Sequence, residues 1–410
     1  MTTPLRRQYL EIKRRFPQAI VFFRLGDFYE TFDQDAELVS RELEIVLTSR
    51  PIGKGQRVPL AGIPHHALDG YLAKLIAKGY KVAICEQVSE PAKDRTLMER
   101  QVVRVVTPGT VVEGDLLDQR ANNYLAALAL EGDRAGLAYV DVSTGEFAVA
   151  QMDAGLLPAE LDRLRPAELV LPEGQEPPEG LQTTVSHLEA HRFQPEAAAE
   201  LLLAHFGAAS LEAFGCADLP LAVAAAGAVL AYLQDNQRAV LAHITRLSTY
   251  NTSAFMTLDS HTRRNLELFA SIRHGPGAAS LLSTIDLTKT SMGARLLRRW
   301  LGQPLLDITH IHRRQDRVQF FFQSAVRRGQ VSALLAKMAD LERLLGRISA
   351  GVASPREVVS LRRGLALVPA LRQAMASDGE DVAEGAELLA RLHPCQETVA
   401  LIEQALEDEP

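Results

Sequence analysis

The sequence predicts a multidomain protein with a mixed α/β region first, an α/β region in the middle and an all-α region at the end. Three observations support this prediction. Strand and helix patterns alternate up to about residue 107, strands followed by helices occupy 115–242, and strand patterns nearly vanish after residue 245. The 410-residue length also exceeds one ordinary domain of roughly 100–200 residues. We therefore expect domains over residues 1–107, 115–242 and 245–410.

The individual elements follow from dense β-forming runs and from helical apolar spacing. In the first region, helices are predicted at residues 5–15, 33–43 and 65–77, and strands at 19–24, 58–61, 80–85 and 102–106. In the middle region, strands are predicted at 124–130, 136–142 and 146–149, and helices at 156–164, 196–206 and 219–235. Beyond residue 245, heavily charged helical patterns are interrupted by Pro and Gly.

The charge of the chain is unevenly distributed. Hydrophobic residues make up 47% and charged residues 23%, which excludes disorder, collagen and coiled-coil rods for the whole chain. The overall net charge of -7 speaks against a nucleic-acid binder, but residues 116–240 alone carry -12. Residues 1–115 carry +2, residues 241–410 carry +3, and 286–347 within them carry +7. The flanking regions can therefore face a polyanion.

The cysteines and the N-terminus indicate a cytoplasmic protein. Cys85, Cys216 and Cys395 lie far apart and form no C-x-x-C pair, so neither a disulfide framework nor a structural zinc site is predicted. The first residues lack the apolar stretch of a signal peptide, and no run is long and apolar enough to span a bilayer. We expect no membrane association.

The densest group of candidate functional residues is the sequence FFRLGDFYE at residues 22–30. A strand runs into Gly26 and resumes, so Phe28 and Glu30 share one face and Tyr29 takes the other. An exposed phenyl ring can wedge between poorly stacked bases, and unstacking costs a few kcal/mol per step. A carboxylate beside DNA would serve specificity, by accepting from a base or, when protonated, by donating. Spacing alone favours the alternative of a core Phe28 and a solvated Glu30.

Two histidines, His65 and His66, suggest a metal site only superficially. Adjacent residues do not face each other on a helix, and no Asp, Glu or Cys lies at ligand spacing nearby. We predict no metal here, and instead expect His65 to cap the following helix.

Asp141 ends a hydrophobic strand and precedes a Ser-Thr-Gly turn. The pattern looks like the first strand of an RNase H-like fold, whose nucleases use such an aspartate to bind a divalent metal. The downstream acids Glu160, Asp162 and Glu168 stand in helical or loop contexts and form no evident second ligand. A structural turn is therefore favoured over a metal site.

A further segment, residues 255–268, reads as a helix junction. Asp259 is an N-cap candidate. Leu258, Leu266 and Leu268 are core candidates, while Arg263 and Arg264 could hold neighbouring carboxylates or a phosphate. No G-x-x-x-x-G-K-[ST] or G-x-S-x-G motif occurs, so no ATP site and no catalytic nucleophile are predicted in this chain.

Together these motifs resemble the N-terminal half of the MutS family of DNA mismatch-recognition proteins, over nearly the whole chain. The strongest piece is RLGDFYETF at 24–32, in which Phe28-Tyr29-Glu30 stands at the family's Phe-x-Glu motif. Supporting pieces follow in family order: PLAGIPHHA at 59–67, VAICEQ at 82–87, VRVVTPGT at 103–110, DVSTG at 141–145, and TRRNLE at 262–267 after Leu258-Asp259. The resemblance reverses the preference for a core Phe28.

The resemblance implies an architecture and a role for each region. Residues 1–107 would be the mismatch-binding domain, 115–242 an RNase H-like connector that is not a nuclease, and 245–410 part of the helical core and lever. In the family, two copies clamp DNA and one inserts the aromatic side chain from the minor groove. Phe28 would then be the wedge and Glu30 the base contact. Supporting DNA contacts are expected from Leu25, Asp27, Arg50, Arg100 and Arg104.

The resemblance also implies partners and an absent half. The expected ligand is double-stranded DNA with mismatches or small loops, and a MutL-type repair partner would bind, with the connector as its docking site. The family continues into a clamp and an ATPase domain with the P-loop. This sequence lacks both, so we expect a truncated protein that is not an enzyme. ATP, Mg and the homodimer are then expected only for full-length relatives. The remaining alternatives are a nuclease acting through Asp141 and a protein-interaction module built on the acidic connector.

Overall fold

A computed structural model describes residues 4–53, 56–88, 98–271, 279–376 and 383–410. Over these residues, two six-stranded sheets are followed by a helical region. This order agrees with the sequence prediction of mixed α/β, α/β and all-α regions.

The first sheet belongs to the first region and has the strand order β3-β4-β2-β1-β5-β6. Its strands are β1 (Ala19–Leu25), β2 (Phe28–Phe32), β3 (Thr48–Gly53), β4 (Gln56–Pro64), β5 (Lys81–Gln87) and β6 (Arg100–Val106). Neighbouring strands run antiparallel, except that β1 and β5 are parallel. Three helices accompany the sheet: α1 (Pro4–Arg15), α2 (Asp33–Leu43) and α3 (Leu68–Ala77).

Alternation along the strands gives this sheet two apolar faces. One face packs on α2 and α3 through a core that includes Phe22, Tyr29 and Leu72. The other packs on α1, with Tyr9 and Phe23 at its centre. β2 lies in the interior of the sheet, and its one exposed side chain, Phe28, stands at the end of the strand next to the hairpin turn.

The second sheet has the strand order β11-β10-β7-β8-β9-β12. Its strands are β7 (Leu125–Glu131), β8 (Arg134–Asp141), β9 (Glu146–Asp153), β10 (Glu168–Pro172), β11 (Thr184–Leu188) and β12 (Ser248–Thr249). Strands β7, β8 and β9 form an antiparallel meander, while β10, β11 and β12 join in parallel. Its helices are α4 (Leu157–Leu164), α5 (Pro195–Phe206) and α6 (Pro220–Asn236).

Helix α6 explains the long alanine-rich run of the sequence. Its residues from Leu221 to Leu233 are all buried, because α6 lies between the sheet and α5. The approach to β8 is so close that a Cβ on Gly136 would lie 2.1 Å from the carbonyl carbon of Leu221. A small residue is therefore required at this crossing.

The described residues of the third region are mainly helical; the exceptions are β12, which joins the second sheet, and an antiparallel bridge between Phe255 and Leu305. Its helices are α7 (Ser260–Asn265), α8 (Leu281–Ile285), α9 (Ser291–Gly302), α10 (Ile308–Phe322), α11 (Ala325–Leu335), α12 (Leu341–Ser349), α13 (Pro355–Ala366), α14 (Val368–Ala376), α15 (Ala383–Arg391) and α16 (Gln396–Ala405). Most begin at a polar N-cap, and Asp259 caps α7 as predicted, its carboxylate accepting from the Thr262 amide at 2.6 Å.

A buried carboxylate joins the first region to the second. Glu168, at the start of β10, is fully buried and accepts hydrogen bonds from the Gly109 amide at 3.0 Å and from the Tyr232 hydroxyl at 2.6 Å. The Thr107 hydroxyl donates to the same carboxylate, and the Lys81 ammonium lies 3.7 Å away. The loop after β6 is thereby held against the second sheet.

A buried arginine joins the second region to the third. Arg343 of α12 donates to the backbone carbonyl oxygens of Asp118 at 2.9 Å and Ala121 at 2.7 Å, and to the hydroxyl of Ser143 at 3.2 Å. Its fork therefore ties the loop before β7 and the turn after β8 to the helical region.

Several details of the prediction are wrong. Strands β3, β10, β11 and β12 were not predicted, and Glu168 begins β10 instead of lying in a helix or loop. Asp141 ends the second strand of its sheet, not the first. Leu266 is exposed, although Leu258 and Leu268 are buried as predicted.

The expected cap at His65 is also wrong, because no side-chain hydrogen bond caps the short turn and helix that follow it. Cys85 and Cys216 are buried and Cys395 is exposed, and all three are free thiols. Among the helices of the described ranges, none is both long and apolar enough to cross a membrane.

Candidate nucleic-acid interface

The hairpin between β1 and β2 carries the strongest candidate site. Leu25 pairs with Phe28, so Gly26 and Asp27 form a two-residue turn. Gly26 has φ +58°, and glycine at the first central position is typical of a type II′ hairpin turn. The Asp27 carbonyl oxygen accepts from the His65 amide at 2.8 Å, which ties the turn to the end of β4.

Phe28 projects from this hairpin into solvent. Its exposed fraction is 47%, which is high for a phenyl ring. Phe32, two pairs along the same face, is buried against Tyr9 of α1, with the ring centroids 4.9 Å apart. The helix therefore covers one end of the β2 face and leaves the hairpin end open.

Phe28 and Glu30 stand side by side, as the alternation predicted. Glu30 pairs with Gly62 across β4, and Phe28 pairs with Pro64. A Cβ on Gly62 would lie 3.5 Å from the Glu30 Cγ and 3.9 Å from the Phe28 ring. Because Gly62 has no side chain, the side chains of Phe28 and Glu30 can lie close to the backbone of β4.

Tyr29 points to the opposite face of the sheet, where it anchors the hairpin in the core against α2 and α3. Its ring stacks on Phe22, with centroids 6.2 Å apart, and its hydroxyl donates to Glu86. Burial and the neighbouring Glu86 carboxylate raise the pKa of Tyr29 to about 12, so it remains a neutral donor. Because Tyr29 is anchored on the opposite face, the backbone of β2 directs Phe28 outward.

Glu30 forms an ion pair with Arg50 of β3. The Arg50 Nη1 lies 2.9 Å from the Glu30 carboxylate, whose side chain is 20% exposed. Burial raises the pKa of Glu30 above its ordinary value, and Arg50 opposes that rise. The carboxyl can therefore be shifted towards its protonated, donating form by any event that removes Arg50.

Leu25 and Asp27 flank Phe28. Leu25 is half-buried on the same face as Phe28, and Asp27 is exposed in the turn. An apolar residue is therefore paired with Phe28 across the hairpin, and a carboxylate precedes it in the turn.

Arg100 and Arg104 make contacts inside the protein. Arg100 is buried, donates to the Arg24 carbonyl oxygen at 2.6 Å, and lies over the Phe23 ring. Arg104 pairs with Glu113. The structure does not bring these two guanidinium groups to the Phe28 hairpin as free cations.

Three features were missed by sequence reasoning. Arg24 lies over the Tyr29 ring, 5.5 Å from its centroid, and donates to the Gly26 carbonyl oxygen at 2.5 Å. Exposed Arg57 of β4 donates to Ser49 and adds a cation beside β3. Val103 of β6 is exposed, an apolar residue on an otherwise polar edge. Only Arg24 carried a sequence signal, as part of the same motif as Phe28.

Asp141 does not offer a metal site. It is fully buried, and its carboxylate accepts from the amide and hydroxyl of Ser143, at 2.9 and 2.6 Å, and from the side chain of Asn122 at 2.8 Å. Within the described part of the chain, no group of three or more His, Cys, Asp and Glu side chains could hold a metal ion. The carboxylate acts as the centre of the turn between β8 and β9.

Comparison with known families places all three regions. Residues 3–115 match MutS domain I, residues 123–245 match MutS domain II, and residues 261–410 match MutS domain III. The three matches follow the chain in the order of the two sheets and the helical region.

Curated relatives give the same result. The DNA mismatch repair proteins MutS of Dehalococcoides mccartyi and Symbiobacterium thermophilum are each 48% identical over 100% of this chain, which covers 48% of the relative. That of Thermosynechococcus vestitus is 44% identical, again over 100% of this chain and 49% of the relative. The chain spans about half the length of these relatives. The chain belongs to the MutS family of DNA mismatch repair proteins, and it carries domains I, II and III of that family.

Proposed function

We propose that the chain recognises mismatched or unpaired bases in duplex DNA, with Phe28 as a wedge inserted from the minor groove. The carrying observation is the exposed Phe28 ring on a rigid hairpin beside Glu30, at the family's Phe-x-Glu motif. A mispaired step stacks poorly and is easier to kink than a paired one. Inserting a ring costs less at a mispaired step, because less base stacking is lost there than at a matched step, while the ring stacks on the bases in both cases.

The proposed role of Glu30 is a hydrogen bond to a mispaired base. DNA phosphates would repel an ionised Glu30 carboxylate. The contact is therefore most favourable when a base donates a hydrogen bond to the carboxylate, or when Glu30 is protonated and donates one to the base. When DNA binds, Arg50 would break its ion pair with Glu30 and form a new one with a DNA phosphate. This exchange would supply sequence-independent affinity from Arg50 and specificity from Glu30.

The other proposed DNA contacts surround the hairpin. Leu25 and Asp27 would line the kinked step. The phosphate roles of Arg100 and Arg104 stay predictions, and any phosphate would compete there with the Arg24 carbonyl oxygen and with Glu113.

The activities of the longer relatives are proposals for this chain. We propose that mismatch binding becomes ATP-dependent, and that a homodimer closes around DNA, only together with the half that these relatives have in addition. We propose that the connector is RNase H-like. Its strands β7, β8 and β9 are antiparallel, and β10 then pairs in parallel with β7. Its strongly acidic surface is the proposed docking site for a MutL-type partner.

The nuclease alternative is not favoured, because, among the described residues, the hydrogen bonds to the Asp141 carboxylate come from its own turn and from the loop before β7. Incubation of labelled DNA with Mg²⁺ or Mn²⁺ should give no cleavage that depends on Asp141. Cleavage lost in Asp141→Asn would support the nuclease instead.

The proposed function is tested by a gel shift with duplexes that differ by one G·T pair. We expect tighter binding to the mismatched duplex, measured on this chain and on a version extended to the length of its relatives. Affinity should fall for both duplexes as salt increases, since phosphate contacts release counterions. Equal affinity of the extended protein for the two duplexes at every salt concentration would contradict the proposal.

Replacement of Arg50 by glutamine should raise the pKa of Glu30. Arg50 stabilises the carboxylate at 2.9 Å, so its removal leaves burial unopposed and increases the protonated fraction at a given pH. The titration of the Glu30 carboxyl carbon, followed by ¹³C NMR, measures the shift directly. Arg57→Gln is the matched control on the adjacent strand and should leave that titration unchanged. An unchanged or lower pKa in Arg50→Gln would rule out the proposed coupling.

A further inference from the structure

A cleft of about 410 Å³ lies between α4 of the second region and α7 of the third, away from the Phe28 hairpin. Its lining includes three arginines, Arg165, Arg263 and Arg264, together with His261 and the single carboxylate Asp162. Two adjoining clefts share Asp162 and Arg165 with it, and one of them adds Arg298. Positive charge is thus concentrated where two regions meet.

Arg263 is the buried wall of this cleft. It is 7% exposed, and its Nε and Nη1 atoms have no hydrogen-bond acceptor among the described residues. Arg263 forms a long ion pair with Asp162, whose carboxylate oxygen lies 3.8 Å from Nη1, too far for a hydrogen bond. Buried donors without acceptors are costly, and a bound ion or water is one way to satisfy them.

Three neighbouring arginines have no acidic partner of this kind in the described part of the chain. Over the described residues, no hydrogen bond or ion pair joins the guanidinium groups of Arg165, Arg264 or Arg298 to an acidic side chain. Burial lowers the pKa of Arg263 and of Arg298, and the charge of Arg165 contributes to both shifts. Like charges are therefore held close together by the fold.

We propose that this cleft is a binding site for a phosphate-type oxyanion, held by Arg263 at its wall and by Arg165 and Arg264 at its mouth. Three guanidinium groups and one carboxylate leave the cleft with an excess of two positive charges, which a phosphate dianion neutralises. The planar fork of arginine matches the oxygen spacing of a phosphate group. Ser260 lines the same cleft and can donate its hydroxyl to the anion.

The site would couple two regions of the protein. Arg165 follows α4 in the connector, whereas Arg263 and Arg264 belong to α7. An anion that bridges them stabilises the arrangement of the second region against the third. The site is independent of the proposed mismatch recognition, because it shares no residue with the hairpin.

Inorganic phosphate is the first probe, titrated into the chain by calorimetry at constant ionic strength set with chloride. We expect saturable binding and a rise in the thermal midpoint that chloride alone does not produce. The exposed residues are tested by Arg165→Gln and Arg264→Gln, each expected to weaken phosphate binding about tenfold, the effect of one charge-assisted hydrogen bond. Arg134→Gln, at an exposed arginine of β8 paired with Asp153, is the matched control and should bind as the unmodified chain does.

Competition experiments show whether the bound phosphate is free phosphate or part of a larger molecule. Pyrophosphate and ATP should compete with phosphate if the group belongs to a larger small molecule, and a failure of both to compete assigns the site to free phosphate. Absence of saturable binding, or equal binding by the two glutamine variants and the unmodified chain, overturns the proposal. Displacement of phosphate by a matched DNA duplex overturns it in favour of a nucleic-acid contact.

Discussion

Phe28→Ala is expected to abolish the preference for a mismatched duplex and to leave the fold intact. The ring is 47% exposed, so its removal leaves no cavity and should change the free energy of unfolding by less than about 0.5 kcal/mol. Stacking of a base on an aromatic side chain is worth about 1–3 kcal/mol. We therefore expect the affinity for the G·T duplex to fall by about tenfold or more, and the affinity for the matched duplex to change little.

Two controls separate the wedge from a general loss of binding. Phe28→Leu keeps an apolar side chain but removes the aromatic face, so it should retain only part of the preference. Val103→Ala removes an exposed apolar side chain from the same domain and should retain all of it. A Phe28→Ala protein with undiminished mismatch preference in the gel shift would show that the wedge role is wrong.

Arg343→Ala is expected to loosen the junction between the connector and the helical region. Its guanidinium donates to two backbone carbonyl oxygens and one hydroxyl across that junction, and it is 5% exposed. Hydrogen bonds from charged donors contribute about 1.5–3 kcal/mol each, and removal strands the buried acceptors. We expect a loss of about 3 kcal/mol or more in the free energy of unfolding.

The measurement is urea unfolding followed by the fluorescence of Trp300, the one tryptophan of the chain, which lies on α9. Arg343→Lys keeps the charge but cannot reach three acceptors, so it should fall between the alanine variant and the unmodified chain. Arg134→Ala removes an exposed ion pair and should shift the midpoint little. An Arg343→Ala midpoint equal to that of the unmodified chain would mean that other contacts hold the junction.

Local patterns were sufficient to predict the hairpin. A β-forming run, a glycine and a resumed run predicted both strands, and alternation placed Phe28 and Glu30 on one face. Whether that face is covered depends on how far α1 extends over the sheet. Spacing favoured a buried Phe28, and only the resemblance to MutS favoured an exposed one.

The surroundings of Arg100 and Arg104 were less predictable from the sequence. The resemblance to MutS implies phosphate contacts for Arg100 and Arg104, and it says nothing about the acceptors that these arginines meet inside the protein. The register of β5 and β6 shifts between Ile84 and Cys85, and this irregularity changes which side chains point inward. Such a shift is not visible in the sequence of one strand.

The missed strands have several physical causes. β10 and β11 are short, and their pairing is parallel, so each depends on a partner far away in the sequence. β3 contains Pro51, which lowers the strand signal, and it pairs only with β4 at the edge of the sheet. The buried Glu168 also made β10 look polar at its start. Its four hydrogen-bonding groups come from three separate segments and could not be predicted from local patterns.

Base unstacking at the mismatch is the most direct test of the wedge. A duplex with 2-aminopurine next to a G·T pair reports unstacking as a rise in fluorescence. The protein with Phe28, extended to the length of its relatives, should raise the fluorescence of this duplex and not that of the matched one, and Phe28→Ala should bind without the rise. An equal rise with Phe28→Ala would contradict the proposal that the Phe28 ring enters the base stack.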